Sequence, residues 1–161
     1  MVGVILVRHA HAGTKAAWHA ADEMRPLSTL GLAQAQSLVD TLGGETISAL
    51  WCSPSVRCRQ TLEPLGAVLR LPVRTSARLS KAAHPSRLLT WSQQAGVDAP
   101  WVVCTHGEVL TALYATARST GIVASSRRTT TEKGAVWRLT TDLSDSTSQV
   151  QLAYTPPTPR K

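Results

Sequence analysis

Short continuous apolar runs recur along the chain, each bounded by polar residues. Runs of this kind are typical of strands that are buried on both faces of a sheet. They occupy residues 2–7, 47–52 and 101–104, a brief strand begins at Val73, and two late strands are predicted at 134–140 and 149–154. The late pair is separated by a polar turn at 142–148.

Stretches with apolar residues at every third or fourth position lie between these runs and predict helices. They cover residues 28–42, 55–69, 85–95 and 107–118. Ser28 is a suitable N-cap and Gly43–Gly44 a suitable end for the first helix, and Ser53–Pro54 is a helix-start signal for the second. Strands that alternate with helices predict a three-layer α/β/α sandwich with a mostly parallel central sheet.

Length and composition favour a single globular domain. The chain has 161 residues, of which 43% are hydrophobic and 17% charged, and this is enough to form a core. We expect the domain to span residues 1–154 and residues 155–161, TPPTPRK, to form a flexible tail without core-forming side chains. No apolar run reaches the roughly 20 residues that a membrane span requires, so we expect no membrane association.

Cysteine usage indicates the compartment. The three cysteines, Cys52, Cys58 and Cys104, are odd in number and form no Cys-x-x-C pair. The chain also begins without the basic segment of a signal peptide. We therefore expect reduced thiols and a cytoplasmic location.

The formal net charge of +7 narrows the choice of ligand. Such an excess suits an anionic substrate, a nucleic acid or an acidic partner, and charge alone does not choose among them. The chain has no block of basic residues and no basic stretch rich in aromatic side chains of the kind that stacks bases. We therefore disfavour nucleic acid as a partner.

Polar side chains follow two of the predicted strands where each strand ends. Arg8, His9 and His11 follow the first strand, and His106 follows the strand at 101–104. The carboxyl ends of parallel strands share one edge, where ligands bind. We expect Arg8, His9 and His106 to meet there, as a metal site, a phosphate site or an ordinary polar strand end.

A phosphate site fits these residues better than a metal site. The chain has only five histidines, and Arg8 would place a fixed positive charge beside a cation; we expect no metal and no other cofactor. Arg57, in the first turn of the helix at 55–69, adds a second guanidinium and a helix N-terminus. Arg59 points about 200° away from Arg57 around that helix, so only one of the two faces the site.

Four segments, taken in order, resemble the histidine phosphatase superfamily. They are VRHA at 7–10, PLSTLGLAQA at 26–35, CSPSVRCRQTLEPL at 52–65 and VVCTHGEVL at 102–110. The short length and the MRPLSTLG segment are most similar to the SixA-type phosphohistidine phosphatases, and the pattern also resembles the phosphatase domain of some actinobacterial Nudix fusions. The resemblance implies a phosphoglycerate mutase-like fold and a metal-independent phosphatase.

The resemblance also implies a role for each matching residue. His9 would attack phosphorus and become transiently phosphorylated. Arg8 and Arg57 would bind the phosphoryl oxygens, and His106 would donate to them as charge develops. Candidate substrate-binding residues around this centre are Arg25, Lys15, Arg78 and Lys133.

Two departures from the family pattern bear on the substrate. Ala10 replaces the glycine of the usual RHG, a change that matters only if the backbone there needs a positive φ or closely approaches phosphate. Many members also place a glutamate near residue 78 to protonate the leaving group. This chain has no acidic residue between Glu63 and Asp98, and Asp22, His84 and Glu108 are the alternative donors.

A missing general acid, typically worth 10²–10⁴-fold in rate, penalises esters with poor leaving groups most. Phosphohistidine and phosphoanhydrides have better leaving groups. We therefore favour a phosphohistidine on a protein such as a phosphorelay domain as the substrate. The alternatives are a small phosphorylated metabolite, such as a phosphoanhydride or nucleotide, and a phosphate-binding module without turnover.

Overall fold

The computed structural model describes residues 2–95, 98–124, 131–141 and 150–157, and one sheet of seven strands forms its centre. Strands β1 to β7 are Val2–Arg8, Ala49–Cys52, Val73–Thr75, Trp101–Thr105, Val123–Ala124, Val136–Thr141 and Val150–Thr155. Their spatial order is β3-β2-β4-β1-β6-β7-β5. Four strand pairings are parallel, whereas β6 pairs antiparallel with both β1 and β7. The predicted mostly parallel sheet is confirmed.

Four α-helices cover the two faces of the sheet. They are α1 Thr29–Leu42, α2 Val56–Leu69, α3 Pro85–Gln94 and α4 Gly107–Ser119. Along β1, Val4 and Leu6 belong to the core cluster that includes α3 and α4, whereas Ile5 and Val7 belong to the cluster that includes α1 and α2. Successive side chains of a strand point to opposite faces, so the continuous apolar run of β1 reflects burial under both helical layers.

The predicted element boundaries are mostly confirmed, with differences at the short strands. The strand β2 begins at Ala49, two residues later than predicted, and the two-residue strand β5 is too short to give a periodic signal. Near the end of the chain, Thr155 still belongs to β7 and Pro157 is buried. Residues 158–161 of the predicted tail and the predicted turn at 142–148 lie outside the described residues.

The segment PLSTLG fixes the loop that follows β1. Ser28 caps α1, because its Oγ accepts a hydrogen bond from the Gly31 N–H, and its own N–H donates to the His11 carbonyl oxygen at 2.9 Å. A Cβ atom on Gly31 would lie 1.9 Å from that same oxygen. Glycine is therefore required at position 31 for the loop carrying His11 to pack against α1.

Two further observations concern the cysteines and the helices. The thiols of Cys52, Cys58 and Cys104 are free and buried. Among the described helices, none has the length and apolar character needed to cross a bilayer.

Candidate active site

The carboxyl ends of β1, β4 and β2 lie side by side and deliver the central residues of the site. Arg8 in β1 is level with Thr105 in β4, and Cys52 in β2 is level with Cys104 in β4. The next residues along these strands therefore emerge at the same edge. The structure brings His9 and His106 together there, with ring centroids 5.6 Å apart and planes inclined at 65°.

His9 is held as a neutral imidazole with a defined tautomer. Its side chain is buried, and Nδ1 lies 2.8 Å from the carbonyl oxygen of Ala10. A carbonyl oxygen can only accept, so the proton is on Nδ1 and the lone pair is on Nε2. Burial, reinforced by the positive charges of Arg57 and Arg8 and by the neighbouring His106 ring, lowers the pKa of His9 to about 3.

Ala10 causes no backbone strain at this site. Arg70 is the one non-glycine residue with a positive φ in the described part of the chain, so Ala10 does not occupy the left-handed region. Its N–H donates to Thr61 Oγ1 at 3.0 Å. The replacement of glycine in the RHG pattern is therefore compatible with the local conformation.

Arg57 projects from the first turn of α2 and is 1% exposed, whereas Arg59 is exposed, as helical geometry predicts. Arg57 Nη1 donates to the carbonyl oxygen of Asp22 at 2.7 Å, and Arg57 Nη2 donates to Asp22 Oδ2 at 3.0 Å. Nη2 also lies 3.4 Å from His106 Nδ1. Its Nε is buried and has no hydrogen-bond partner among the described residues.

Arg8, like Arg57, is anchored by a hydrogen bond from Nη1 to a main-chain carbonyl oxygen. Its Nη1 donates to the carbonyl oxygen of Thr131, and its buried Nε lacks a partner within the described ranges. The guanidinium lies against Gly107 at the start of α4, where a Cβ atom would be 2.7 Å from Cζ and 2.8 Å from Nε. Glycine in the THG segment therefore makes room for Arg8.

The orphaned donors of Arg8 and Arg57 are the main electrostatic feature of the site. A buried N–H group without an acceptor costs about 1–3 kcal/mol. Both guanidinium groups are fixed through Nη1 on a carbonyl oxygen, and both have a buried Nε–H without an acceptor among the residues that the structure describes. An oxyanion near His9 would satisfy such donors.

Two serines of the SPS segment hold His106, and the sequence pattern identified them only as helix-start residues. His106 Nε2 lies 2.8 Å from Ser53 Oγ and 3.4 Å from Ser55 Oγ. Arg57 can only donate, so His106 Nδ1 accepts and Nε2–H donates to Ser53. A hydroxyl can also donate, which makes Ser53 compatible with either tautomer of His106.

The site has a floor and a rim, and Asp22 joins the two. The floor consists of His9, Arg8, Arg57 and His106, and the rim consists of Asp22, Arg25, Lys81 and Lys133. Besides binding Arg57, the Asp22 carboxylate accepts from Arg25 Nε at 3.1 Å and from Lys81 Nζ at 2.8 Å. The hydrogen bond from Lys81, followed by that from Arg25 and the charge of Arg57, holds the pKa of Asp22 well below its usual range. This shift keeps Asp22 ionised near neutral pH, which does not favour it as the proton donor.

Glu108 and His84, the other alternative donors, gain no support. Burial opposes ionisation of Glu108, but its own backbone N–H and the charges of Lys81, His106 and Arg8 lower its pKa. Its carboxylate lies 3.8 Å from Lys81 Nζ. His84 is exposed at the start of α3.

Two of the four predicted substrate-binding residues lie beside the central group. Arg25 is buried and donates through Nη1 to the carbonyl oxygen of Ala12 at 2.7 Å, in addition to binding Asp22. Lys133 is half-buried, and its pKa is lowered by burial and by the charges of Arg8 and Arg25. Both therefore add positive charge to the rim.

The structure places the other two away from the central residues. Lys15 is exposed in the short 3₁₀ helix Lys15–Ala17. The Arg78 guanidinium lies over the ring of Trp91, 5.9 Å from its centroid. Cation–π stacking against α3 thus directs Arg78 into a neighbouring groove. In the described structure neither side chain bonds to the four central residues.

Contacts that no sequence pattern predicted complete the site. Lys81 and Asp22 contact across 59 positions of sequence, and Arg8 and Thr131 across 123. The described residues contain no group of three His, Cys, Asp or Glu side chains arranged to hold a metal ion.

Comparison with known proteins gives two kinds of match. The model of the histidine phosphatase superfamily (branch 1) matches residues 4–84. An 8-oxo-(d)GTP phosphatase of Mycolicibacterium smegmatis is 34% identical over 117 residues. That alignment covers 68% of this chain but only 35% of the relative, so the chain spans about a third of that protein.

Two solved structures share the fold. The protein histidine phosphatase SixA, complexed with tungstate, superimposes with a TM-score of 0.72 and 22% identity, over 96% of this chain and 95% of that one. A mycobacterial glucosyl-3-phosphoglycerate phosphatase has a TM-score of 0.70 and 15% identity, with 94% and 97% covered. The likeness establishes the phosphoglycerate mutase-like α/β fold, and the named activities differ among these proteins.

Proposed function

The chain belongs to the histidine phosphatase superfamily, and from this premise we propose that it is a metal-independent phosphatase acting through a phosphohistidine on His9. The observation that carries the proposal is the pair of buried Nε–H groups on Arg8 and Arg57, which have no acceptor within the described part of the chain and lie beside a neutral imidazole. The guanidinium groups supply an oxyanion site, and the imidazole supplies a lone pair without prior loss of a proton.

In the first step, the lone pair on His9 Nε2 forms a bond to phosphorus as the bond to the leaving group breaks. Arg8 and Arg57 bind the phosphoryl oxygens on which charge accumulates. A phosphoryl oxygen that accepts from Arg57 Nη2 replaces His106 Nδ1 as its acceptor, so His106 can adopt its other tautomer. Ser53 Oγ–H then donates a hydrogen bond to His106 Nε2, and Nδ1–H donates to the same phosphoryl oxygens. In the second step, water attacks phosphorus and the Nε2–P bond breaks, which releases phosphate and restores His9.

We favour a phosphohistidine on a protein as the substrate because of the leaving group. Asp22 and Glu108, the carboxylates that contact the rim cation Lys81, both have lowered pKa values. Neither therefore serves as a proton donor near neutral pH. A phosphohistidine that is protonated on its distal ring nitrogen leaves as neutral imidazole, so it needs no further acid.

A positively charged surface beside the site supports a protein substrate. From Arg78 to Arg87 the chain carries three Lys and Arg residues and no acidic residue. A groove of about 410 Å³ lies along α3 and is lined by Arg78, Ser86, Arg87, Thr90, Trp91 and Gln94. Lys81 lies between Arg78 and the start of α3, and it forms an ion pair with Asp22 at the rim of the site. An acidic surface of a phosphorelay domain would complement the charge along this groove. We propose that the reaction takes place in the cytoplasm.

A phosphoanhydride is the second candidate, and the rim cations favour it. Lys133 lies close enough to Arg8 and to Arg25 for its charge to interact with theirs, so a second phosphate group would meet compensating charge there. The Mycolicibacterium relative is named for a nucleotide substrate. A phosphate-binding module without turnover is the third possibility.

Labelling of His9 tests the chemistry. The protein is incubated with a phosphohistidine protein, a nucleoside diphosphate or an alkyl phosphate, quenched in alkali and examined for acid-labile phosphate on His9. We expect label that turns over, fastest from phosphohistidine and slowest from the alkyl phosphate. Phosphate binding without any label would establish the binding module instead. Equal rates on all three donors would contradict the leaving-group argument.

A charge reversal tests the protein substrate. We expect Arg87→Glu, in the groove, to lower kcat/KM at least fivefold on a phosphohistidine protein and to leave hydrolysis of free phosphohistidine unchanged. Arg70→Glu is the matched control, because Arg70 is exposed at the far end of α2, about 20 Å from its first turn. If Arg87→Glu and Arg70→Glu hydrolyse the phosphohistidine protein at equal rates, the groove is not the docking surface for that substrate.

A further inference from the structure

Asp22 binds Arg57 with two different oxygen atoms. Its main-chain carbonyl oxygen accepts from Nη1 at 2.7 Å and its Oδ2 accepts from Nη2 at 3.0 Å. In a guanidinium group, Nη1 and Nη2 form the terminal edge, whereas Nε and Nη2 form the side edge. Asp22 therefore occupies the terminal edge of Arg57.

The side edge of Arg57 remains available to a ligand. Nη2 is 3.4 Å from His106 Nδ1, and the buried Nε has no partner in the part of the chain that the structure describes. A phosphoryl group on this edge would make the bidentate contact for which arginine is suited. The orientation that allows this contact depends on what holds the opposite edge.

Asp22 is itself firmly held. Its carboxylate accepts from Arg25 and Lys81, and Arg25 is in turn bonded to the carbonyl oxygen of Ala12, in the loop that follows His9. The same side chain therefore connects the buried arginine, two rim cations and the loop of the nucleophile. The hydrogen bond from Lys81 keeps the pKa of Asp22 low, so this network persists at neutral pH.

We propose that Asp22 is a positioning residue for phosphoryl transfer, which holds the terminal edge of Arg57 so that the side edge faces His9 and His106. The proposal rests on the proposed function, since it assigns a task to Arg57 in that reaction. It differs from a role for Asp22 as an acid, which its ionised state precludes. It also differs from a role as a stand-in anion that substrate must displace.

Positioning and displacement predict opposite results when the carboxylate is removed. If Asp22 competes with substrate, its removal frees Nη2 and takes away a negative charge, so phosphate and vanadate bind more tightly. If Asp22 positions Arg57, its removal lets the guanidinium rotate. The vanadate complex, which resembles the five-coordinate transition state, then loses more affinity than the phosphate complex.

The experiment compares Asp22→Asn and Asp22→Ala with wild type. We expect kcat to fall about tenfold in Asp22→Asn and further in Asp22→Ala, with KM within threefold. Vanadate inhibition should weaken by about the same factor as kcat falls. Asparagine still offers an oxygen to Nη2, so partial rescue relative to alanine separates geometry from charge. The matched control is Glu23→Gln, which removes the same charge from an exposed neighbour in the 3₁₀ helix Asp22–Met24.

Three results would overturn the proposal. The first is tighter binding of phosphate and vanadate with kcat unchanged or raised. The second is an equal loss of kcat in Asp22→Asn and Asp22→Ala. The third is that both variants have the same kcat and vanadate inhibition as Glu23→Gln. Thermal unfolding of each variant confirms that the fold is retained. If wild type transfers no phosphoryl group from any donor, the proposed function fails, and calorimetric binding of inorganic phosphate and vanadate still decides the role of Asp22.

Discussion

The floor of the site, made of His9, Arg8, Arg57 and His106, and its rim, made of Asp22, Arg25, Lys81 and Lys133, are held by different forces. His9, Arg57 and His106 are buried and bonded to backbone or hydroxyl oxygens. In the rim, the side chains of Asp22 and Lys81 are 22% and 41% exposed and are joined by ion pairs. Solvent weakens such pairs, so changes in the floor should abolish turnover and changes in the rim should adjust it.

The largest effect is expected at the nucleophile. His9→Ala should lower turnover by at least about 10⁴-fold, because no covalent intermediate can form, while inorganic phosphate still binds Arg8 and Arg57. Steady-state kinetics and calorimetry measure the two properties. The control is His84→Ala, which removes an exposed histidine. A His9→Ala protein with full activity would refute the mechanism.

A change beside the floor should separate activity from stability. In Gly107→Ala the new methyl group would lie 2.7 Å from Arg8 Cζ, at the end of a side chain that can move. We expect kcat/KM to fall about 10²-fold, comparable to the loss of one oxyanion donor, with little change in Tm. Gly44→Ala is the matched control, since a Cβ there meets nothing within 4 Å. Equal kinetics for the two variants would show that Arg8 needs no such space.

A rim cation should have a smaller effect. Lys133→Met should raise KM about threefold for a phosphoanhydride and leave kcat nearly unchanged, because Lys133 lies beside Arg8 and Arg25 at the rim. Lys15→Met, which removes an exposed lysine away from the floor, should change neither constant. A Lys133→Met loss as large as that of Gly107→Ala would remove the distinction between floor and rim.

The smallest effect on activity is expected from mild acid. The pKa of His9 is lowered to about 3, whereas a histidine in an unfolded chain titrates near 6.5. His9 should therefore remain neutral between pH 4.5 and 8, which histidine-selective NMR can follow. A ring that titrates near pH 6.5 would contradict the burial argument.

The same shift predicts how stability depends on pH. Between pH 6.5 and about 3 the unfolded chain binds a proton at His9 that the folded protein does not, so the contribution of His9 to stability falls as the pH is lowered. The unfolding free energy of wild type should therefore lose more between pH 7 and pH 5 than that of His9→Gln. Equal losses would contradict the prediction.

Most of the fold could be predicted because local physics produces it. The apolar run of β1 and the helical spacing of α1 are consequences of burial, and Ser28 caps α1 as its position indicated. The floor was also accessible, since strand ends in a parallel sheet meet at one edge and Arg57 follows a helix start. These signals lie within a few residues of the side chains concerned.

The contacts of the rim could not be predicted, because they join segments with no shared pattern. Arg78 and Lys81 are three positions apart, yet one stacks on Trp91 and the other binds Asp22. Both are cations in a polar stretch, so composition does not distinguish them. The same holds for Arg25, which reaches the site, and Lys15, which does not.

By itself, then, the sequence determined the sandwich, the edge where ligands bind and the floor residues Arg8, His9 and His106, because periodicity and strand ends are local properties. The tertiary structure alone decided the tautomer of His9, the space for Arg8 at Gly107 and the attachment of Arg57 to Asp22. These depend on atoms that distant segments bring within about 3 Å, the range over which hydrogen bonds act.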